Sequence, residues 1–242
     1  MTAPVFLADD VAGDRIVLAG PEGHHAATVR RVRVGEEVHL VDGRGTRAWC
    51  TVAAVAHDVV ELLVVRRTSE PPPSPRVVLV QALAKGDRGE LAVELATEVG
   101  VDEVVPWSAE RCIVQWVGQR GEKALRRWRS TAREAGKQSR RAWLPVVRDL
   151  HTTSELLELV RSAALTLVLH ESAQRPLAGL ELPDSGDVLL VVGPEGGLTD
   201  HELGVLTTAG ATTVRLGHSV LRTSTAGAAA VAVVSAQTSR WR

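Results

Sequence analysis

Apolar and polar residues alternate in short runs along the first part of the chain, at Arg15–Leu18, Glu37–Val41, Ala48–Ala56 and Val59–Val65. A period of two marks strands with one buried face. Asp42-Gly43 and His57-Asp58 supply turn signals between some of them. One helix is expected near His24–Arg31, so residues 1–70 read as a small β-barrel-like domain. Glu70-Pro71-Pro72-Pro73-Ser74-Pro75 then interrupts the pattern. Prolines at that density keep the backbone extended, which makes 71–75 a stiff connector.

From 76 to 242 the pattern changes. Val77–Leu83 is a predominantly apolar run, as expected of a parallel strand buried on both faces. Further strands are expected at Val101–Pro106, Leu165–His170, Val188–Val192 and Thr212–Leu216. Helices are expected at Gly89–Val99, stopped by Gly100, and at Lys123–Ser139. Another opens at the capping box Thr199-Asp200-His201-Glu202 and ends at Gly210. Thr223, Ser224 and Thr225 can cap a last helix, Thr225–Ala236, built of small residues. Strands alternating with helices predict an α/β domain around a parallel sheet.

The 242 residues are 45% hydrophobic and 24% charged, an ordinary globular balance. With six Trp, one Phe and no Tyr, the cores must be built from Val, Leu and Ala. Ala226–Val234, the most apolar stretch, is too short to span a bilayer. The opening MTAPVFLADD carries acids where a basic leader would stand, so no signal peptide is expected. Cys50 and Cys112 lie far apart and form no CxxC pair, which argues against a disulfide or zinc site and suits a reducing cytoplasm. No metal-ligand cluster is apparent.

A net charge of −1 conceals a sharp asymmetry. Residues 111–148 hold eleven Lys/Arg and only Glu122 and Glu134 as acids, so this segment is +9 and the remainder −10. Such a segment is the expected footprint of a polyanion partner. Arg111, Arg133, Arg140 and Arg141, with Gln138, are candidate contacts to it. Lys85 and Arg88 are further candidates, and Arg30, Arg31 and Arg33 extend the track into the first domain. Trp116, Trp128 and Trp143 read better as core residues than as base-stacking platforms.

Candidate chemistry concentrates near the C-terminus. Gly193-Pro194-Glu195-Gly196-Gly197 follows a strand and precedes a helix signal, and so does Leu216-Gly217-His218-Ser219-Val220-Leu221-Arg222. Glycines let a ligand approach the backbone closely. The first loop has neither GxGxxG spacing nor a GK[ST] ending, so no dinucleotide or NTP site is indicated. Arg222 stands between an apolar pair and a helix start, with no packing reason to be there. Its bland alternative is an ion pair with Glu195 or a neighbouring acid.

Together the two loops resemble those of the SPOUT methyltransferases. Within that superfamily the pattern is most similar to the ribosomal small-subunit RNA methyltransferase E family. The other segments in order strengthen the resemblance: Lys85-Gly86-Asp87-Arg88 with Thr97-Glu98-Val99-Gly100, Glu110-Arg111-Cys112, Gln138-Ser139-Arg140-Arg141 with Pro145, His170-Glu171, and His25 to Arg30. It covers nearly the whole chain. Leu198, His218 and Ser224 depart from the family pattern.

The resemblance implies a PUA-like β-barrel followed by a SPOUT α/β domain with a parallel sheet and a deep trefoil knot. It implies S-adenosylmethionine as cofactor, held by Leu169, His170, Val192, Gly193–Gly197, Leu216, Gly217, Ser219, Val220 and Leu221. It also implies methylation at N3 of a uridine in the 16S rRNA of the small ribosomal subunit, by a cytoplasmic homodimer that needs no metal. Arg222 would stabilise charge developing on the uracil, and Glu171, or less readily His170, would take the proton. A ribose 2′-O-methyltransferase of the same superfamily and a non-catalytic RNA-binding or ribosome-assembly factor are the alternatives.

Overall fold

The computed structural model describes residues 3–241. Residues 1, 2 and 242, at the outer ends of the two expected domains, lie outside the described residues. The chain forms two compact units. One holds the chain up to Pro72 together with Gly136–Leu144, and the other holds Pro73–Ala135 and the chain from Pro145 onward.

In the first unit, β1 (Val5–Leu7), β2 (Arg15–Leu18), β3 (Glu37–Val41), β4 (Thr46–Ala56) and β5 (Val59–Ser69) form one sheet in the order β1-β3-β4-β5-β2. β1 pairs parallel with β3, and the other pairs are antiparallel. The helix expected near His24–Arg31 begins earlier. It is α1 (Gly20–His24), running on into a π-helical turn over His25–Val29. Alternate strand residues meet in a core around Phe6, Leu40 and Leu62. Gly136–Leu144 adds Ala142 and Leu144 to a second cluster with Val5, Leu7 and Val41. In the same unit Lys137, nearly fully buried, pairs with Glu22 at 2.8 Å.

The second unit is built on β6 (Arg76–Ala82), α2 (Arg88–Glu98), β7 (Glu103–Trp107), α3 (Gly118–Gln138), β8 (Val146–Val147), α4 (Thr153–Ser162), β9 (Leu165–Leu169), β10 (Asp187–Val192), α5 (Asp200–Thr208), β11 (Thr212–Val214) and α6 (Thr223–Gln237). The last three residues of α3 belong to the first unit. The sheet order is β11-β9-β10-β6-β7-β8, and every pairing is parallel. β6 shows why its sequence reads as an apolar run without polar alternation. Val77 and Leu79 face one core with α2 and α6 residues, and Val78 and Val80 face the other with Leu156 and Leu206 of α4 and α5.

Trp116, Trp128 and Trp143 make contacts within the protein. Trp128 is buried and packs edge-on against Trp116 at 5.0 Å between ring centres. Trp143 donates its indole N–H to the Glu70 carbonyl at 3.0 Å.

Candidate active site

The C-terminal ends of three adjacent strands, β11, β9 and β10, meet the loops that carry the candidate chemistry. In an open parallel sheet this edge is where ligands bind, because helix starts and loop amides converge there. A cavity of about 720 Å³ opens at this edge, within the usual range for a small-molecule site. All the residues expected to hold the cofactor line it: Leu169 and His170, Val192 through Gly197, and Leu216, Gly217, Ser219, Val220 and Leu221. Arg222 and Glu171 line it too, as do Arg88 and Arg111.

The Gly193–Gly197 loop is held from several sides. Gly197 has φ +70°, and a Cβ at Gly193 would come within 3.0 Å of the Leu198 side chain. Arg111 donates from Nη1 to the carbonyls of Gly196 and Leu198, at 3.1 Å each. The Glu195 carboxylate accepts the Lys85 backbone N–H at 3.0 Å and Arg88 Nη1 at 3.1 Å. Burial alone would raise the Glu195 carboxyl. The hydrogen bonds from its own and the Lys85 backbone N–H, and from Arg88, outweigh that and hold its pKa below the ordinary glutamate value.

Arg222 therefore does not pair with Glu195, which is taken by Arg88. Among the described residues Arg222 makes no ion pair, and it is exposed at the cavity. It occupies the N-cap of α6 without a side-chain cap. The expected cap at Thr223–Thr225 is not formed, because Thr223 already lies in the first helical turn and spends its hydroxyl proton on the Gly193 carbonyl at 2.9 Å.

The second loop fits a flat polar ligand. Among the described residues, the backbone N–H groups of Gly217 through Leu221 make no intramolecular hydrogen bond. They stand beside the apolar walls of Leu169, Val192 and Leu216. Free amides and carbonyls next to aliphatic walls suit a neutral heteroaromatic ring, so this donor set fits the adenosyl group that the sequence resemblance implies.

Two models of RNA methyltransferase families match the chain: an RNA methyltransferase domain over residues 71–235 and an RNA methyltransferase PUA domain over residues 18–64. Ribosomal RNA small subunit methyltransferase E of Mycobacterium bovis is 47% identical over 100% of this chain and 94% of the relative. The chain belongs to the ribosomal RNA small subunit methyltransferase E family. The Bacillus subtilis member is 33% identical over 91% of this chain and 90% of its own. The crystal structure of the Neisseria gonorrhoeae member, bound to S-adenosyl methionine, superposes with a TM-score of 0.87 at 28% identity, covering 98% of each chain.

In this member of the family, the remaining basic candidates lie elsewhere than the cavity lining. Lys85 reaches Glu195 only through its backbone, and its side chain is exposed. Arg133 is exposed on α3. In the first unit, Arg30, Arg31 and Arg33 follow the π-helical turn and are exposed, as are Gln138 and Arg140, while Arg141 is half-buried.

The +9 segment is less repulsive than its composition suggests, because acids from outside it supply partners. Arg129 pairs with Asp149 at 2.9 Å, Arg148 with the buried Glu103, and Lys137 with Glu22. Asp200, Arg215, Thr223 and Ala226 also line the cavity and were not anticipated. Each falls within a few residues of a recognised loop, and that proximity was the only available signal. No group of acids, histidines and cysteines among the described residues could hold a metal. No described helix is long and apolar enough to cross a membrane.

Proposed function

We propose that this protein is an S-adenosylmethionine-dependent methyltransferase that modifies N3 of a uridine in the 16S rRNA of the small ribosomal subunit. The observation that carries the proposal is Arg222, an unpaired cation at a cavity made of three strand-end loops, in a chain that shares its family over its whole length. The bound cofactor supplies an electrophilic methyl group. Leu169, His170, Val192, residues 193–197, Leu216, Gly217, Ser219, Val220 and Leu221 would hold it through backbone groups and aliphatic walls.

Arg222 places positive charge where a uracil carbonyl oxygen becomes negative as N3 loses its proton. Glu171, exposed at the same cavity, is the candidate to accept that proton. Arg30, Arg31, Arg33, Lys85, Arg88, Arg111, Arg133, Gln138, Arg140 and Arg141 are the proposed RNA contacts. The protein acts as a cytoplasmic homodimer. Exposed Val220 and Leu221 beside Arg222, and the small-residue helix α6, support an apolar contact with a second copy.

Mass spectrometry of nucleosides from small-subunit rRNA, with and without the gene, tests this. N3-methyluridine should vanish without the gene. It should return with the wild-type protein but not with Arg222→Ala. Loss of a ribose methyl instead would reassign the target atom, and no change in any nucleoside would overturn the enzymatic reading.

A further inference from the structure

A buried amide sits in β6 where the strand pattern calls for an aliphatic side chain. Val77 and Leu79, on the same face as position 81, are fully buried, and so is Gln81. Gln81 Nε2 donates to the Ala82 carbonyl at 3.1 Å and to Thr223 Oγ1 at 2.9 Å. Thr223 Oγ1 donates in turn to the Gly193 carbonyl at 2.9 Å. Chemistry sets the direction of this relay. Both carbonyls only accept, so the hydroxyl must give its one proton to Gly193 and receive one from the amide. Flipping the amide would set its oxygen against the Ala82 carbonyl.

The amide oxygen, Gln81 Oε1, has no hydrogen-bond partner among the described residues. An unpaired buried acceptor destabilises a fold, and leucine or valine would fill a parallel strand without one. Core stability therefore does not explain the glutamine. Its connections do. The relay ties the centre of the sheet to the first residue of α6, directly after Arg222, and to the first residue of the loop after β10.

We propose that Gln81 is a positioning residue for methyl transfer: acting through Thr223, it sets the spacing between Arg222 and the Gly193–Gly197 loop. This rests on the roles proposed above for Arg222 and that loop. Gln81 does not line the cavity, whereas Thr223 does. Displacing a catalytic group by about 1 Å costs on the order of 100-fold in rate.

Steady-state kinetics on Gln81→Leu, Thr223→Val, Thr223→Ser and the Gln81→Leu/Thr223→Val double variant test the relay. The expected result for Gln81→Leu is a fall in kcat of roughly 10- to 100-fold. KM for S-adenosylmethionine should change less, and Tm should not drop. Thr223→Val should lose a similar factor, Thr223→Ser should recover most of it, and the double variant should be no worse than the poorer single one. An unchanged kcat per folded molecule, losses that multiply, or a Thr223→Ser enzyme as poor as Thr223→Val would each overturn the proposal. If Gln81→Leu does not fold, the two Thr223 variants decide.

Amide hydrogen exchange supplies a readout that does not depend on turnover. Exchange should quicken in both Gln81→Leu and Thr223→Val at the hydrogen-bonded amides of Gly197, Thr225 and Ala226 and stay unchanged in the sheet. A wild-type protein that methylates no RNA would sink the proposed function alone. Unchanged exchange at these amides would sink the relay.

Discussion

The fully buried carboxylate of Glu202 accepts the backbone N–H of Glu110 at 2.8 Å. Its other oxygen accepts the Thr199 N–H at 2.9 Å and the Thr199 hydroxyl at 3.2 Å. One side chain thus completes the cap of α5 and pins the turn that carries Arg111, which in turn holds Gly196 and Leu198. Glu202→Gln puts a donor where an acceptor is needed. Leaving a buried partner unmatched costs about 1–3 kcal/mol. Chemical denaturation should show a loss of that size, and calorimetry should show weaker binding of S-adenosylhomocysteine. Stability equal to wild type would show that the clamp is not needed.

The link between Arg88 and Glu195 responds to acid. The folded-state pKa of Glu195 lies below its ordinary value of 4.5. Its contribution to stability is therefore present above that value and is lost as pH falls through the lower, folded-state pKa. Glu195→Gln should be less stable than wild type at pH 7, and the gap in Tm should close as pH falls below 4.5 and through the lower, folded-state pKa. A gap that stays constant with pH would mean that the charge of Glu195 contributes nothing.

How much of this was legible in the sequence depended on the range of the signal. The β6 run, the capping box of α5 and both cavity loops are local patterns, and each lies within a few residues of its expected place. α4 was missed although Thr152 and Glu155 form a complete capping box ahead of Leu156. β1 and β8 are too short to show a period. The junction at Gly136–Leu144 had no local mark, since its place in the first unit comes from packing by Ala142 and from Lys137 meeting Glu22 across 115 positions. Gln81 was hidden inside an apolar run, and only the hydroxyl of Thr223, 142 positions later, gives it meaning.

The cations of residues 111–148 divide into paired and unpaired groups, and the two should fail differently. Arg120, Lys123 and Arg127 are exposed and make no ion pair among the described residues. Replacing any one with alanine should leave Tm unchanged. If it contacts a phosphate, RNA binding should weaken, and the slope of log affinity against log salt should fall by about 1. Lys137→Met should do the opposite, unfolding more easily by about 3–5 kcal/mol because Glu22 loses its buried partner. Filter binding across a salt series, with denaturation on the same preparations, separates the classes. If every variant at the unpaired positions binds RNA like wild type, this helix face is not part of the RNA track.

Arg240 lies just beyond α6 and is nearly as buried as its partner Asp102, at 8% and 7% side-chain exposure. Its Nη1 meets Asp102 Oδ2 and the Pro75 carbonyl at 2.7 Å each, and Nη2 meets Asp102 Oδ1 at 3.0 Å. Asp102 Oδ2 also accepts the Val77 N–H at 2.8 Å, so the pair ties the end of the last helix to the start of β6. Arg240→Met keeps the aliphatic stem and removes the charge, breaking the pair with the buried carboxylate from one side. Breaking a buried pair from one side costs about 3–5 kcal/mol, whereas neutralising both sides costs much less. Urea denaturation should therefore place Arg240→Met well below wild type. The Arg240→Met/Asp102→Asn double variant should recover part of the loss, because an asparagine oxygen can still accept from Val77. A double variant weaker than Arg240→Met would show that Asp102 acts through its backbone contacts and not as the partner of Arg240.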